Sequence, residues 1–336
     1  MSQESTQWLN TNTLIGFTAK RGQAWHYDAD LQGPESNHYE DAVPTEDVIR
    51  RLFNWQAIEG EISATAITTD GVLVTKDTER KAIMRSDTGA VLGVFKQGYS
   101  VHQYEEWLLR NVSDLLDDGL SIGSAGLLRG GAVAWVSVEL PDNIETPEGV
   151  AFRPNLVAYT SHDGTLASGY KRTITVVVCD NTLASALGGA GEVFRVKHSR
   201  YSAMRLQDAR DALGIVHTMA DDFAQQVEAL CATTVTDKQW SQFLDSLVPI
   251  PEDEGSARTR AENKRGQLNN LWRNDPRVSP WQGSAFGVLQ AVNTYEHHLA
   301  QVRRVERGER NRLRAIRGEF DALDATTMQQ LEAVLV

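Results

Sequence analysis

TSHDGTLASGYKRTITVVVCDNTLASAL, residues 160–187, contains the strand on which the predicted fold depends. Its middle, TITVVVCD, is rich in β-branched residues, which favour a pleated and buried environment. The Asp163-Gly164 pair that precedes it is typical of a turn between strands. After the strand, Asp180 or Asn181 can cap a short helix, NTLASAL. The stretch therefore predicts a turn, a buried strand and a capped helix.

The segments before this stretch extend the pattern into a sheet. Residues 56–95 contain short runs of Val, Ile and Thr that are broken by Asp-Gly and Asp-Thr-Gly turns. In residues 120–140, two apolar runs flank Arg129-Gly130-Gly131. Because glycine adopts a positive φ at little cost, this spacing predicts a β-hairpin with Arg129 at its tip.

Two helices are predicted in the same part of the chain. Ser100 and Gln103 form a capping box for an amphipathic helix that ends at Gly119. The hydroxyl of Thr45 is expected to cap a shorter helix, EDVIRRLFNW.

Apolar residues recur at helical spacing from Ser202 to the end of the chain. The predicted fold class is therefore α+β, with an antiparallel sheet packed by helices in the N-terminal two-thirds and an all-helical C-terminal region. The pattern divides the chain into three parts. These are a polar lead-in with a short helix (1–55), an α+β core domain (56–201) and a helical C-terminal domain (202–336).

The composition is that of an ordinary soluble protein, with 41% hydrophobic and 23% charged residues among 336. No run of apolar residues is long enough for a transmembrane helix, and the N-terminus lacks the apolar core of a secretory signal. Cys179 and Cys231 cannot form a disulfide framework and lack zinc-site spacing. We expect a cytoplasmic protein with no cofactor, no metal and no membrane partner.

The net charge of −12 is spread unevenly. Residues 1–160 carry 12 basic and 23 acidic side chains, whereas residues 161–336 carry 21 and 22. Two segments are basic: 171–210 has seven basic and three acidic residues, and 303–317 has seven Arg and two Glu. An acidic chain is a poor general nucleic-acid binder, but a locally basic face can still bind phosphate. Such clusters are also typical of solvated helix faces.

The cations around the quoted stretch are interleaved with aromatic residues. Lys171 and Arg172 begin the strand, and further cations follow the predicted short helix. If the two elements are neighbours, the cations form one face that could pair with phosphates while the aromatic rings stack on bases. The alternative is that these cations pair with the acidic N-terminal half. The residues concerned are Tyr170, Lys171, Arg172, Phe194, Lys197, His198, Arg200, Tyr201 and Arg205.

The same stretch also permits a catalytic interpretation. Cys179 lies just before a predicted helix N-terminus, where a thiol pKa can be lowered. His162 and Asp163 could form an acid–base pair or bind a metal, and His198 could pair with the cysteine. However, a buried cysteine usually behaves as a small hydrophobe, and a metal site needs three or four ligands.

Several motifs, in this order, resemble the phage/plasmid-like proteins that contain domain of unknown function 932. The motifs are RGQAWHY (21–27), GYSVHQYEEW (98–107), SAGLLRGGAVAWVSVEL (124–140), TSHDGT (160–165), KRTITVVVCDNTL (171–183), VFRVKHS (193–199) and FGVLQAVNTYEHH (286–298). The resemblance implies a mobile element in a bacterial host and no particular activity. The order of hairpin, strand, helix and helical extension is also similar to single-strand annealing proteins.

These observations lead to a first hypothesis: a non-enzymatic homo-oligomer, in the form of a ring or filament, that binds and anneals single-stranded DNA in recombination or replication. The expected DNA contacts are Arg129, Tyr170, Lys171, Arg172, Lys197, His198, Arg200, Tyr201 and Arg205. One alternative is an acidic module that binds another protein through its N-terminal half. The other is an enzyme that uses Cys179, His198 and Asp163.

Overall fold

The computed structural model describes residues 3–21, 30, 32–110, 116, 120–140, 142–176, 181–183, 193–196, 220–303 and 305–335. Antiparallel sheets with packed helices occupy the first part of the chain, and helices occupy residues 220–335. The predicted α+β class with a helical C-terminal region is thus confirmed.

The described strands form two antiparallel sheets. In chain order they are β1 (Thr13–Ile15), β2 (Ala57–Ile67), β3 (Leu73–Arg85), β4 (Val91–Lys96), β5 (Ser121–Leu128), β6 (Val133–Glu139), β7 (Ile144–Glu145), β8 (Ala151–Ser161), β9 (Ser168–Val176), β10 (Asn181–Leu183) and β11 (Val193–Val196). The main sheet has the order β1-β5-β6-β8-β9-β10, with β7 also on β8 and β11 also on β9. The small sheet has the order β2-β3-β4.

The helices surround the main sheet. In chain order they are α1 (Gln3–Asn12), α2 (Thr18–Arg21), α3 (Thr45–Leu52), α4 (220–232), α5 (Asp237–Leu247), α6 (Ser256–Asn274), α7 (Ala285–Thr294), α8 (Arg307–Arg317) and α9 (Glu319–Leu335). The described residues also include two π-helical turns, Glu105–Arg110 and Tyr295–Leu299.

Both faces of the main sheet are covered, so its central strand β6 is buried along its whole length. On one face, α3, the π-helical turn at 105–110 and the small sheet pack against apolar residues such as Leu156. Farther along the sheet, Phe152 and Ile174 join the core of the C-terminal helices. On the opposite face, Leu313 and Ile316 of α8 pack on Trp135. The predicted boundary at residue 202 remains a prediction, and helices that follow it share a core with strands that precede it.

The hairpin predicted around Arg129 is confirmed, as β5 and β6 pair antiparallel on either side of it. Other local predictions are wrong. Asn181–Leu183 form a strand paired with β9 instead of starting a helix. Pro44, not Thr45, precedes the first turn of α3, and no side chain caps it. Gln103 does not cap a helix with Ser100, because its side-chain amide bonds to both backbone polar groups of Ala57.

Candidate nucleic-acid interface

Lys171 and Arg172 do not share a face, because successive side chains of a strand point to opposite sides of the sheet. Lys171 is paired with Val157 on the side covered by α8, and Arg172 is paired with Leu156 on the other side. The Lys171 side chain is 1% exposed, and its ammonium lies 2.8 Å from a carboxylate oxygen of Asp321. The expected surface position of Lys171 is therefore corrected to a buried one.

Tyr170 is also buried, at 2% exposure, within the core beneath the π-helical turn that contains Trp107. This position gives it no open ring face for a base. Lys197, His198, Arg200, Tyr201 and Arg205 lie outside the described residues, as does Cys179. The DNA-binding roles of the predicted contact residues stay predictions, as does the catalytic role of Cys179, and burial does not favour DNA contacts by Lys171 and Tyr170.

Among the predicted contact residues that the structure describes, Arg129 lies at the surface, with a side chain 33% exposed, and Arg172 is half-buried. It lies in the turn between β5 and β6, where its φ of 54° is followed by φ values of 66° at Gly130 and 96° at Gly131. Positive φ is uncommon for a residue with a Cβ atom, and such backbone strain concentrates at functional sites. The guanidinium donates to Asp163 at 3.0 Å and to Thr165 at 3.1 Å.

A second arginine supports this turn from the small sheet. Arg85 at the end of β3 donates to the carbonyl of Gly130 at 3.0 Å and stacks over the ring of Trp55 at 4.2 Å. The hydroxyl of Tyr104 donates to the carbonyl of Gly131 at 2.8 Å. A side chain at Gly131 would collide with Arg85, so the turn is fitted closely to its support.

Two aromatic rings complete the surface on the other side of the 161–165 loop. Phe95 and Tyr99 are stacked, with ring centroids 3.9 Å apart, and both are partly exposed. The Tyr99 hydroxyl donates to the carbonyl of Ser161, and Phe95 lies against Gly164. We call the set Arg85, Phe95, Tyr99, Arg129 and Asp163 the turn surface.

Sequence reasoning missed Arg85, Phe95 and Tyr99. For Phe95 and Tyr99 the signal was present as aromatic residues alternating with lysine and glycine in VFKQGY (94–99), which spans the end of β4 and the residues after it. Strand pairing alone could not show that this segment meets the Asp163-Gly164 turn, because the two lie in different sheets.

His162 and Asp163 have structural roles in this arrangement. Asp163 accepts from the backbone and hydroxyl of Thr165, as in an Asx-turn. Burial alone would raise the pKa of the Asp163 carboxyl, but hydrogen bonds from Thr165 and Arg129 outweigh it and lower that pKa. The His162 ring is buried and stacked on Tyr104, with centroids 4.1 Å apart. In the described part of the chain, no group of His, Cys, Asp and Glu could hold a metal ion.

A serine–histidine pair in the core invites a catalytic interpretation but does not fit one. His102 bonds to Ser168 at 2.7 Å, and the Ser168 hydroxyl also bonds to Thr160 at 2.6 Å. Ser168 is fully buried, and the His102 ring is stacked on Trp107 at 4.4 Å. The pair therefore joins β8 and β9 to the segment before the π-helical turn, and both of its side chains are buried.

The surroundings of the second cysteine, Cys231, disfavour a reactive thiol. Burial, reinforced by the charge of Glu148, raises the pKa of Cys231 to about 11. Because the thiolate is the nucleophilic form, this environment disfavours covalent chemistry at Cys231.

The Arg-rich segment is used mainly for packing α8 against its neighbours. Arg310 donates to the carbonyl of Glu296, and Arg314 pairs with the carboxylates of Glu296 and Glu319. Arg312 stacks over the ring of Trp135 at 3.9 Å. These contacts attach α8 to the sheet and to the second π-helical turn. They account for the cluster of arginines on this helix by packing.

A family model described as "Domain of unknown function (DUF932)" matches residues 91–317, which is more than half of the chain. The chain therefore belongs to the DUF932 family. The matched range begins at β4 and includes Arg129, Asp163 and Lys171. Neither the curated proteins nor the solved structures gave a match to this chain. None of the helices described is long and apolar enough to cross a membrane.

Proposed function

We propose that this protein binds single-stranded DNA without catalysing a reaction, and that it acts as an oligomer that anneals strands during recombination or replication of a phage or plasmid. The observation that carries the proposal is the turn surface. A partly exposed arginine, bonded to Asp163 and Thr165 in a strained turn, lies across the 161–165 loop from two stacked aromatic rings that contact the same loop. Cations next to aromatic rings can bind a phosphate and stack a base without selecting a sequence.

The charge balance of this surface favours weak binding by one copy. Arg85 pairs with Asp87 at 2.7 Å and Arg129 pairs with Asp163 at 3.0 Å, so both arginines are partly neutralised. A strand that crosses several copies multiplies a weak contact, because the later contacts form at high effective concentration. Oligomerisation is therefore part of the proposal.

The test is the affinity for a dye-labelled single strand, measured by fluorescence anisotropy across a salt series. Arg129→Gln removes the charge while it keeps a hydrogen-bonding side chain of similar length, and Arg129→Lys keeps the charge. The slope of log K against log salt is negative. If Arg129 meets one phosphate, Arg129→Gln should make this slope shallower by about 0.7, and Arg129→Lys should keep it at the wild-type value.

The matched control is Arg260→Gln, which removes an exposed arginine from α6, far along the chain from the turn surface. It should leave the slope at the wild-type value. Equal slopes for wild type and Arg129→Gln would remove Arg129 from the interface. A folded wild type that binds no strand even at low salt would contradict the proposed function itself.

A further inference from the structure

The hairpin of β2 and β3 extends beyond the rest of the small sheet. β4 pairs with β3 only between Arg80 and Met84, so the outer part of the hairpin is a ribbon of two strands. The pairing is interrupted by a bulge between Glu61 and Ser63, opposite Glu79 with its φ of 53°. Bulges bend a strand and redirect it. We call residues 63–77, beyond the bulge, the arm.

Nothing in the described chain packs on either face of the arm. Its residues are exposed except for Val74, which is half-buried. At its end, Ile67 is 72% exposed, Val72 56% and Leu73 68%, and Ile67 is paired directly with Leu73. Between Ser63 and Thr75 the only charged side chain is Asp70. An isolated two-stranded ribbon is marginally stable in water, and exposed apolar edges tend to pair with other chains.

The small sheet carries a second exposed apolar surface near its base. Ile58, Met84 and Val91 form one row across the three strands, and Val94 lies in the next row beside Ala82. Their face points away from the core, since Ala57 and Ile83 on the other face are buried in it. Ile58, Val91 and Val94 are between 44% and 59% exposed. The outward face of such a sheet is normally polar, so this patch needs an explanation.

The two surfaces are complementary in charge. Arg80 and Lys96 are paired in a third row of the same outward face, and both are exposed. Neither has an ion pair within the described residues. The end of the arm carries the single carboxylate of Asp70. An apolar end with one negative charge thus matches an apolar patch with two positive charges.

The arm of one molecule cannot reach the patch of the same molecule. Leu73 and Ala82 are nine positions apart along β3, a distance of about 30 Å in a strand. A paired ribbon does not fold back on its own face. The net charge of −12 also makes copies repel one another except where carboxylates are scarce, as they are on both surfaces.

We propose that the end of the arm (Ile67, Asp70, Val72 and Leu73) binds the outward patch (Ile58, Met84, Val91 and Val94, with Arg80 and Lys96) of a second copy. Such a contact joins two different surfaces, so it repeats head to tail and produces a ring or a filament. It gives a structural basis to the oligomer in the proposed function, but it requires no nucleic acid.

The test measures mass in solution by sedimentation velocity, without DNA. The arm variant Ile67→Asp/Leu73→Asp keeps the patch, and the patch variant Val91→Asp/Val94→Asp keeps the arm. Each alone should be reduced from the wild-type assembly to the 37.2 kDa monomer. An equimolar mixture should form a dimer and nothing larger, because one intact arm then meets one intact patch. Val305→Asp, at another exposed apolar residue, is the control and should assemble like wild type.

Three results would overturn this contact: a monomeric wild type, an arm variant with the wild-type mass, or a mixture that stays monomeric while circular dichroism shows both variants folded. An arm variant that keeps its mass but loses affinity for a single strand would place DNA, not a second copy, on the arm. Assembly without any DNA binding would leave the contact standing and refute the proposed function, so the two failures are distinguishable.

Discussion

Replacing Lys171 by Met should destabilise the protein rather than affect DNA binding directly. The Lys171 ammonium donates to Ala315 in the last turn of α8 and lies between two oxygens of Asp321, at 2.9 and 2.8 Å, in the first turn of α9. It therefore holds the corner between two helices at Gly318, whose φ is 79°. Met fills a similar volume but leaves the carboxylate and the carbonyl without this donor.

The magnitude follows from the burial of the two partners. Removing one member of a buried ion pair lowers the free energy of unfolding by about 3–5 kcal/mol, because the other charge is left unpaired. Asp321 is 22% exposed, so water can partly replace the lost ammonium. We therefore expect a loss of about 3 kcal/mol in the free energy of unfolding, measured by urea denaturation with tryptophan fluorescence.

A double variant separates the ion pair from the packing. Lys171→Met/Asp321→Leu removes both charges and should recover much of the loss, since an apolar replacement of a buried pair is often close to neutral. The control is Arg258→Met, which breaks an exposed pair with Glu262 one helical turn away and should cost about 0.5 kcal/mol or less. A loss below about 1 kcal/mol for Lys171→Met, or a double variant less stable than the single one, would refute this explanation.

Two further predictions concern the C-terminal helices. Burial lowers the pKa of His297 to about 3, so below a pH of about 6.5 the unfolded chain binds a proton that the folded chain does not, and stability falls as pH falls. His297→Phe, which can keep the stacking on Phe320, should remove about 1.4 kcal/mol per pH unit from the slope of unfolding free energy between about pH 6 and 4, and an unchanged slope would contradict this. A Cβ atom on Gly287 would lie 2.2 Å from the carbonyl oxygen of Trp281, so Gly287→Ala should lower the free energy of unfolding by about 3 kcal/mol. Gly266 in α6 has open space around it, so Gly266→Ala should raise that free energy by about 0.5–1 kcal/mol. Thermal unfolding of both glycine variants checks these opposite signs, and two changes of the same sign would refute them.

The sequence was sufficient for the elements whose patterns are local. The hairpin around Arg129 could be predicted because two apolar runs flank a glycine pair, and the C-terminal helices because their apolar spacing is regular. The helix predicted at Asn181 is wrong because a capping residue is only a weak signal. The edge of β9 offers hydrogen-bonding partners to the backbone of Asn181–Leu183, which therefore forms a strand. Tertiary pairing decides such short segments.

The candidate site was less predictable, because it depends on which face of a strand each side chain occupies. Consecutive cations at 171 and 172 suggested one basic surface, but alternation places Lys171 under α8, where Asp321 neutralises it. Its partner is 150 residues away in sequence, and no local pattern indicates that distance. Arg129 was predictable because the tip of a hairpin is exposed on any side of a sheet.

In the proposed function, this chain brings complementary single strands together without chemistry. The most direct measurement is the annealing rate of two complementary oligonucleotides that carry donor and acceptor dyes, with wild-type protein and without nucleotide or metal. The annealing rate should exceed that of the strands alone, return to the protein-free value at high salt and be lower with Arg129→Gln than with wild type. A folded, assembled wild type that leaves the annealing rate at its protein-free value would contradict the proposed function.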